Sequence, residues 1–223
     1  MGQTITLTAS DGFRLGGYRA EPATKAKAAI VVIQEIFGVN SHSRNICDRF
    51  AAEGYVAVAP AIFDRIEPDF QSGYSPDEVA TARKFVANPD WPAFLRDTQA
   101  AIDSVKDVGP IGIVGFCLGG SVAYSAATKL NGLSAAVGYY GGAIARFADD
   151  RPKVSTLLHF GEKDTGIPMT DVETIRSKRP DVEIQVYPGA QHGFNCDQRA
   201  SYDKTSADLA WQRSLAFFAK HLK

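Results

Sequence analysis

Cys117 stands in the run Gly115-Phe116-Cys117-Leu118-Gly119-Gly120, after a compact apolar stretch, Ile111 to Val114, and before a small-residue segment, Ser121 to Lys129. Glycines on both sides of a potential nucleophile suit a sharp strand–turn–helix, whose flanking positions have no room for a Cβ. A helix opening at the turn sets free backbone N–H groups and a positive dipole end beside the sulfur, and both favour a thiolate. Cysteine is also among the most buried residue types, so packing is the competing role. A thiol nucleophile needs a base, and the base needs an orienting carboxylate. Of the four histidines, His192 lies in a loop flanked by Gly189 and Gly193, suited to bringing an imidazole to a sulfur. His159 lies inside an apolar strand and reads as core. His221, on the last turn of the terminal helix, reads as a solvated C-terminal charge. His42, opening a helix near Glu35, is the rival base. Asp164 closes Phe160-Gly161-Glu162-Lys163-Asp164, where a carboxylate can accept from a histidine Nδ1–H and fix the tautomer. Glu162 competes for that role, and one of the two acids faces solvent.

The elements that must position these groups follow from the pattern. Thr4, Thr6 and Thr8 alternate with Ile5 and Leu7, a half-buried strand, and Ser10-Asp11-Gly12 turns it into a returning strand, Phe13 to Ala20. Ala28 to Ile33 is a continuous β-branched and apolar run, as for a strand buried on both faces. Ser41 or Ser43 caps a helix closed by Gly54. Tyr55 to Pro60 is a short strand, and 61–75 is irregular. Helices are predicted over Asp77 to Val86, Trp91 to Val105, Pro168 to Arg179 and Asp203 to His221, and strands over Leu133 to Tyr140, Val154 to Phe160 and Val182 to Tyr187. Strand and helix alternate, which predicts one α/β domain over residues 1–223: a mostly parallel open sheet with helices on both faces and an antiparallel hairpin at its N-terminal edge. Ligands of such sheets bind beyond the carboxyl ends of the strands. Glu35, Cys117, Asp164 and His192 each fall just after a predicted strand.

Composition narrows the function. The chain has 223 residues, 45% hydrophobic and 22% charged, with formal net charge −1. No basic excess is available to neutralise phosphates, so nucleic acid is excluded as a partner. The three cysteines, Cys47, Cys117 and Cys196, are sparse and lack zinc-site spacing, which points to a reducing, cytoplasmic compartment without a disulfide framework. The first ten residues have neither the charged nor the apolar region of a signal peptide, and no apolar run spans a bilayer. Gly2 to Thr6 meets a loose myristoylation pattern but reads as strand.

The order Cys117, Asp164, His192 is the nucleophile–acid–histidine order of α/β-hydrolases, and the hexapeptide is their nucleophile elbow with cysteine in place of serine. In that fold the loop after the strand Ala28 to Ile33 supplies one oxyanion N–H and the residue after the nucleophile the other, here Ile36 and Leu118. Glu35 beside a thiol disfavours the thiolate, so it is either a solvated turn residue or a regulator of Cys117.

Gln34-Glu35-Ile36-Phe37-Gly38, Pro60-Ala61-Ile62-Phe63-Asp64-Arg65, the cysteine elbow, Gly161-Glu162-Lys163-Asp164 and Gln191-His192-Gly193-Phe194 resemble the dienelactone hydrolases, or carboxymethylenebutenolidases, along essentially the whole chain. The resemblance implies a Cys117–His192–Asp164 triad that opens a small lactone through an acyl-enzyme. It implies that Glu35 holds the resting thiol and takes its proton when substrate binds, and that no cofactor or metal is needed. It places Arg65 on the carboxylate of the substrate, with an ion pair to Glu67 or Asp69 as the alternative; Phe37, with Trp91, Tyr139 and Tyr140, is a candidate to line the pocket, a core role being the alternative for such aromatics. The second anion-binding arginine is not at its place, which falls near Cys196; Arg199 is a shifted substitute. The implied partner is a small lactone or ester, for a monomer or small homo-oligomer. Within hydrolases the alternative is a broad esterase of neutral substrates; the alternatives of other classes are a thiol redox sensor and a non-catalytic binding module on the same scaffold.

Overall fold

The structure is a computed structural model that describes residues 2–223; Met1 lies outside the described residues. Eight strands form one sheet. In chain order the elements are β1 (Gln3–Thr8), β2 (Arg14–Ala20), β3 (Ala29–Ile33), α1 (Ser41–Ala52), β4 (Val56–Pro60), α2 (Pro76–Lys84), α3 (Trp91–Asp103), β5 (Ile111–Phe116), α4 (Leu118–Lys129), β6 (Ala135–Tyr139), α5 (Ile144–Phe147), β7 (Ser155–Gly161), α6 (Met169–Lys178), β8 (Glu183–Tyr187) and α7 (Lys204–His221). The spatial order is β1-β2-β4-β3-β5-β6-β7-β8. β1–β2 and β2–β4 pair antiparallel, and every pair from β4–β3 to β7–β8 is parallel. This is the α/β-hydrolase architecture with its N-terminal hairpin at the edge, as predicted. The short helix α5, which a run as brief as Ile-Ala-Arg-Phe does not announce, is the one element beyond the prediction.

β3, β5 and β6 are buried along their whole length, because helices cover both faces. Alternation divides the core. Ile30, Val32, Val114 and Val137 face Ile46 and Phe50 of α1 and Trp211 and Phe218 of α7. Ala29, Val31, Ile33 and Ile113 face Phe94 and Ile102 of α3 and Val122 and Ala126 of α4. Burying such side chains on both faces contributes about 1.5–3 kcal/mol each and fixes the height at which every strand ends.

Caps set where the helices begin. α1 is capped by the Asn40 side chain, which accepts from the Ser43 N–H, rather than by Ser41 or Ser43. Asparagine at that position does what serine would, and it places the cap closer to the β3 loop than either serine. Ser75 and Glu78 form a reciprocal capping box for α2, and Asp90 and Asp203 cap α3 and α7. Among the described residues no helix is long and apolar enough to cross a membrane.

Candidate active site

The site is built where parallel strands stop. The residue after β5 is Cys117, at φ 55° and ψ −117°, a left-handed conformation that costs a non-glycine residue about 1–3 kcal/mol. The surroundings hold it there. Its N–H donates to the Tyr139 carbonyl at 3.0 Å. A Cβ on Gly115 would lie 1.8 Å from the Gly119 carbonyl oxygen, one on Gly119 2.3 Å from that of Ile33, and one on Gly120 2.5 Å from that of Tyr139. These glycines are what let α4 start directly against the ends of β3 and β6. Leu118 is the first residue of α4, so its N–H has no acceptor within the helix and points from the same end as the sulfur. Cys117 is partly exposed, whereas Cys47 and Cys196 are buried.

The imidazole comes from the loop after β8 and the carboxylate from the turn after β7. His192 Nδ1 lies 2.7 Å from Asp164 Oδ2. The other oxygen of Asp164 accepts from the Gly166 and Ile167 N–H groups at 2.8 and 3.2 Å, so the acid is fixed before it meets the ring. Glu162 turns outward and accepts from the Gly189 N–H at 3.0 Å, which fastens the histidine loop from outside. Of the two acids it is the solvent-facing one. Burial works against charging His192, but the facing Cys117 sulfur and the Asp164 carboxylate outweigh it and raise the imidazolium pKa to about 10.

His159 shows what happens without an anion. Its Nδ1 meets the Tyr187 hydroxyl at 2.8 Å and its Nε2 the Ser214 hydroxyl at 3.0 Å. Burial, reinforced by Arg213, pushes its pKa down to about 3, so this ring is a neutral core group.

Glu35 follows β3 and is 3% exposed, so it is not a solvated turn residue. Its Oε1 accepts from Arg199 Nη1 at 3.0 Å, and its Oε2 is buried without a hydrogen-bond partner. In this conformation the carboxylate is therefore held by Arg199 rather than by the thiol. Arg199 reaches the site because Gly193 leaves its guanidinium room: a Cβ there would lie 2.4 Å from Nη1. The two partners are 164 residues apart in sequence, and no local pattern announces the pair. Tyr140, the residue after β6, is likewise forced to positive φ, 38°, and sets its buried ring 5.1 Å from that of His192 at a tilt of 58°. Strain at neighbouring strand ends thus falls on Cys117 and Tyr140 together.

Two expected substrate contacts are not where the sequence put them. Arg65 gives its Nε and Nη2 to Asp97 at 2.7–3.1 Å and both terminal nitrogens to Asp11 at 2.9–3.0 Å, and its guanidinium lies 4.3 Å over the Phe13 ring. Its partners sit on α3 and the β1–β2 turn, not around Cys117, and they are neither Glu67 nor Asp69. The reason is the fully buried Asp97, a carboxylate that the apolar interior cannot leave unpaired. Phe37 is 2% exposed and offers no face to a ligand. Its ring packs edge-on against Tyr74 at 4.6 Å and lies beneath Arg199 at 5.7 Å, so it supports that arginine. Trp91 packs on Phe94 and Phe147, and Tyr139 bonds to Ser214 inside the core. His42 is buried against Phe116, beside Glu35 and Cys196.

A sequence profile of the dienelactone hydrolase family matches residues 15–222. The chain belongs to this family. A Synechocystis sp. protein named "Putative carboxymethylenebutenolidase" is 37% identical over 99% of this chain and 97% of its own length. The carboxymethylenebutenolidase of Pseudomonas putida is 31% identical over 96% of this chain and 95% of its own. The crystal structure described as a "Putative Dienelactone Hydrolase" from Klebsiella pneumoniae subsp. pneumoniae superposes with a TM-score of 0.85 at 32% identity, covering 99% of both chains. As a dienelactone hydrolase family member the chain is a hydrolase of the α/β fold.

Proposed function

We propose that the chain opens small carboxylated lactones such as dienelactone by nucleophilic catalysis at Cys117. The observation that carries this reading is the 2.7 Å His192–Asp164 pair facing a cysteine on a strained strand–helix turn. Glu35 takes the proton of the Cys117 thiol through its free Oε2 once the substrate carboxylate draws Arg199 away. The thiolate, paired with the imidazolium of His192, attacks the lactone carbonyl. The backbone N–H groups of Ile36 and Leu118 receive the oxyanion. The ring C–O bond breaks, His192 gives its proton to the departing oxygen, and a thioester remains. Neutral His192 then accepts a proton from water as its oxygen adds to the thioester. The thiolate leaves, the ring-opened acid departs and sheds its proton, and Glu35 returns its own proton to Cys117. Lactone and water are consumed, and one hydroxy acid is formed. Asp164 fixes the tautomer of His192 throughout and stabilises the ring whenever it is charged.

One observation favours a second reading, a broad carboxylesterase of small neutral esters: with Arg65 committed to Asp97 and Asp11, only Arg199 is at hand for an anion. A redox role draws no support from Cys47 and Cys196. Burial pushes both thiols up, Cys196 to about 12, so neither is a ready resolving thiolate.

Cys117→Ala should lower turnover of a carboxylated lactone and of p-nitrophenyl acetate by roughly 10³-fold or more, the scale on which nucleophile removal acts. Full activity in that variant would remove the reading. The proton that His192 must donate also predicts an alkaline limb. Activity falls as pH rises through about 10, where the imidazolium is lost. Asp164→Asn should shift that limb to lower pH, because one of the two anions that raise His192 is gone. An unmoved limb would show that the proton donor is another group.

A further inference from the structure

We infer that Glu35, His42 and Cys196 form a binding site for a zinc-like divalent ion, distinct from the Cys117–His192–Asp164 group but sharing Glu35 with its surroundings. One ligand atom from each residue lies within 4.8 Å of the other two. The residues are 3%, 3% and 0% exposed. Glu35 Oε2 and both ring nitrogens of His42 are buried with no hydrogen-bond partner. Each such group left unpaired costs about 1–3 kcal/mol, which is not sustained in a fold without a reason. The donors are a carboxylate oxygen, an imidazole nitrogen and a sulfur, the mixed O, N and S set that zinc accepts, and sulfur argues against magnesium or calcium. Tetrahedral zinc, with ligands about 2.0–2.3 Å away, holds them about 3.3–3.8 Å apart, so the side chains need to close by about 1.5 Å at most.

Charge and outer contacts fit the same ion. A deprotonated Cys196 and the Glu35 carboxylate together neutralise a divalent cation, so the buried complex carries no net charge beyond Arg199. His42 Nδ1 lies 3.5 Å from Asp197 Oδ1, the carboxylate that orients a ligating imidazole in many zinc sites. Arg199 occupies only Oε1 of Glu35 and leaves Oε2 for the ion. Binding displaces the Cys196 thiol proton: the S–H bond breaks, a sulfur–metal bond forms and one proton leaves. A cleft of about 200 Å³ lined by Asn195, Asp197, Arg49 and Asp208 reaches His42 from outside. Cys196 follows His42 by 154 residues, which is why no zinc spacing shows in the sequence.

Occupancy withdraws Glu35 from Cys117 and so inhibits turnover; this consequence, unlike the site itself, rests on the role proposed above for Glu35. The test is a titration of the chelator-treated full chain with Co²⁺, read by its thiolate charge-transfer absorption, and with Zn²⁺ in competition. A single equivalent should bind to the wild type and to Cys117→Ser, and be lost in Cys196→Ser and His42→Gln. Asp197→Asn should weaken binding by roughly 10–100-fold. An absent thiolate band, a band lost with Cys117 instead of Cys196, or unchanged binding in both Cys196→Ser and His42→Gln would each overturn the site. Melting of every variant without metal checks that it is folded. Binding without inhibition keeps the site and overturns the role of Glu35 instead.

Discussion

Among the described residues two arginine–carboxylate pairs bury their acid, and they are built alike. In each the guanidinium lies over a phenylalanine ring, Arg65 over Phe13 at 4.3 Å and Arg199 over Phe37 at 5.7 Å. The acids, Asp97 and Glu35, are 0% and 3% exposed. The difference lies in how completely the bonds are made. Asp97 receives Arg65 on both oxygens, and Asp11 takes what remains of the fork. Glu35 receives Arg199 on one oxygen only, and the other is buried and unpaired. A saturated pair is a fastener: any new partner must break bonds of equal quality. An unsaturated one can change partner at small cost, because part of its desolvation is already uncompensated. The same composition thus yields a structural clamp at the sheet edge and an adjustable carboxylate beside the reactive thiol.

The two pairs should differ most when the saturated one loses Arg65. Arg65→Ala leaves Asp97 unpaired in the core, and breaking a pair of this kind costs about 3 kcal/mol, toward the low end for buried pairs because Arg65 itself is partly exposed. Urea unfolding measures that loss. Steady-state kinetics on the folded variant should show the same ratio of activity toward a carboxylated lactone and a neutral ester as the wild type. A selective rise in KM for the anionic lactone would mean that Arg65 serves the site after all and that its saturation is incidental.

The contrast also explains what could be read from the chain and what could not. The strand ends were legible because alternation and β-branched runs fix each strand, and the parallel topology then brings Glu35, Cys117, Asp164 and His192 to one edge. The glycines of the elbow were legible because their reason is local: a neighbouring backbone occupies the space of a Cβ. Arg65 misled for a complementary reason. A motif position says where a side chain starts, not which acid it will find, and Asp97 lies on another element, α3. Phe37 was misplaced likewise, since an aromatic at a strand end can line a pocket or prop the arginine above it, and only packing decides. Arg199, Tyr140 and the Glu35–His42–Cys196 cluster depend on how the loop after β8 folds back over the loop after β3. No periodicity constrains that return.

Arg199 is where the comparison can be sharpened. A charge-assisted hydrogen bond from a half-buried arginine to a substrate carboxylate amounts to about 1.5–3 kcal/mol, which converts to roughly 10–100-fold in KM. Arg199→Ala should therefore raise KM for a carboxylated lactone by that factor and leave KM for p-nitrophenyl acetate within about 2-fold, where no anion is bound. Its effect on stability should be smaller than that of Arg65→Ala. One hydrogen bond to Glu35 is lost instead of a full fork. Arg199→Lys separates the two duties. Lysine restores the charge seen by the substrate but not the planar fork, so it should recover part of the KM and little of the hold on Glu35. If the alanine variant instead loses activity equally toward both substrates, Arg199 acts only through Glu35, and the anion it was poised to exchange for is not the substrate.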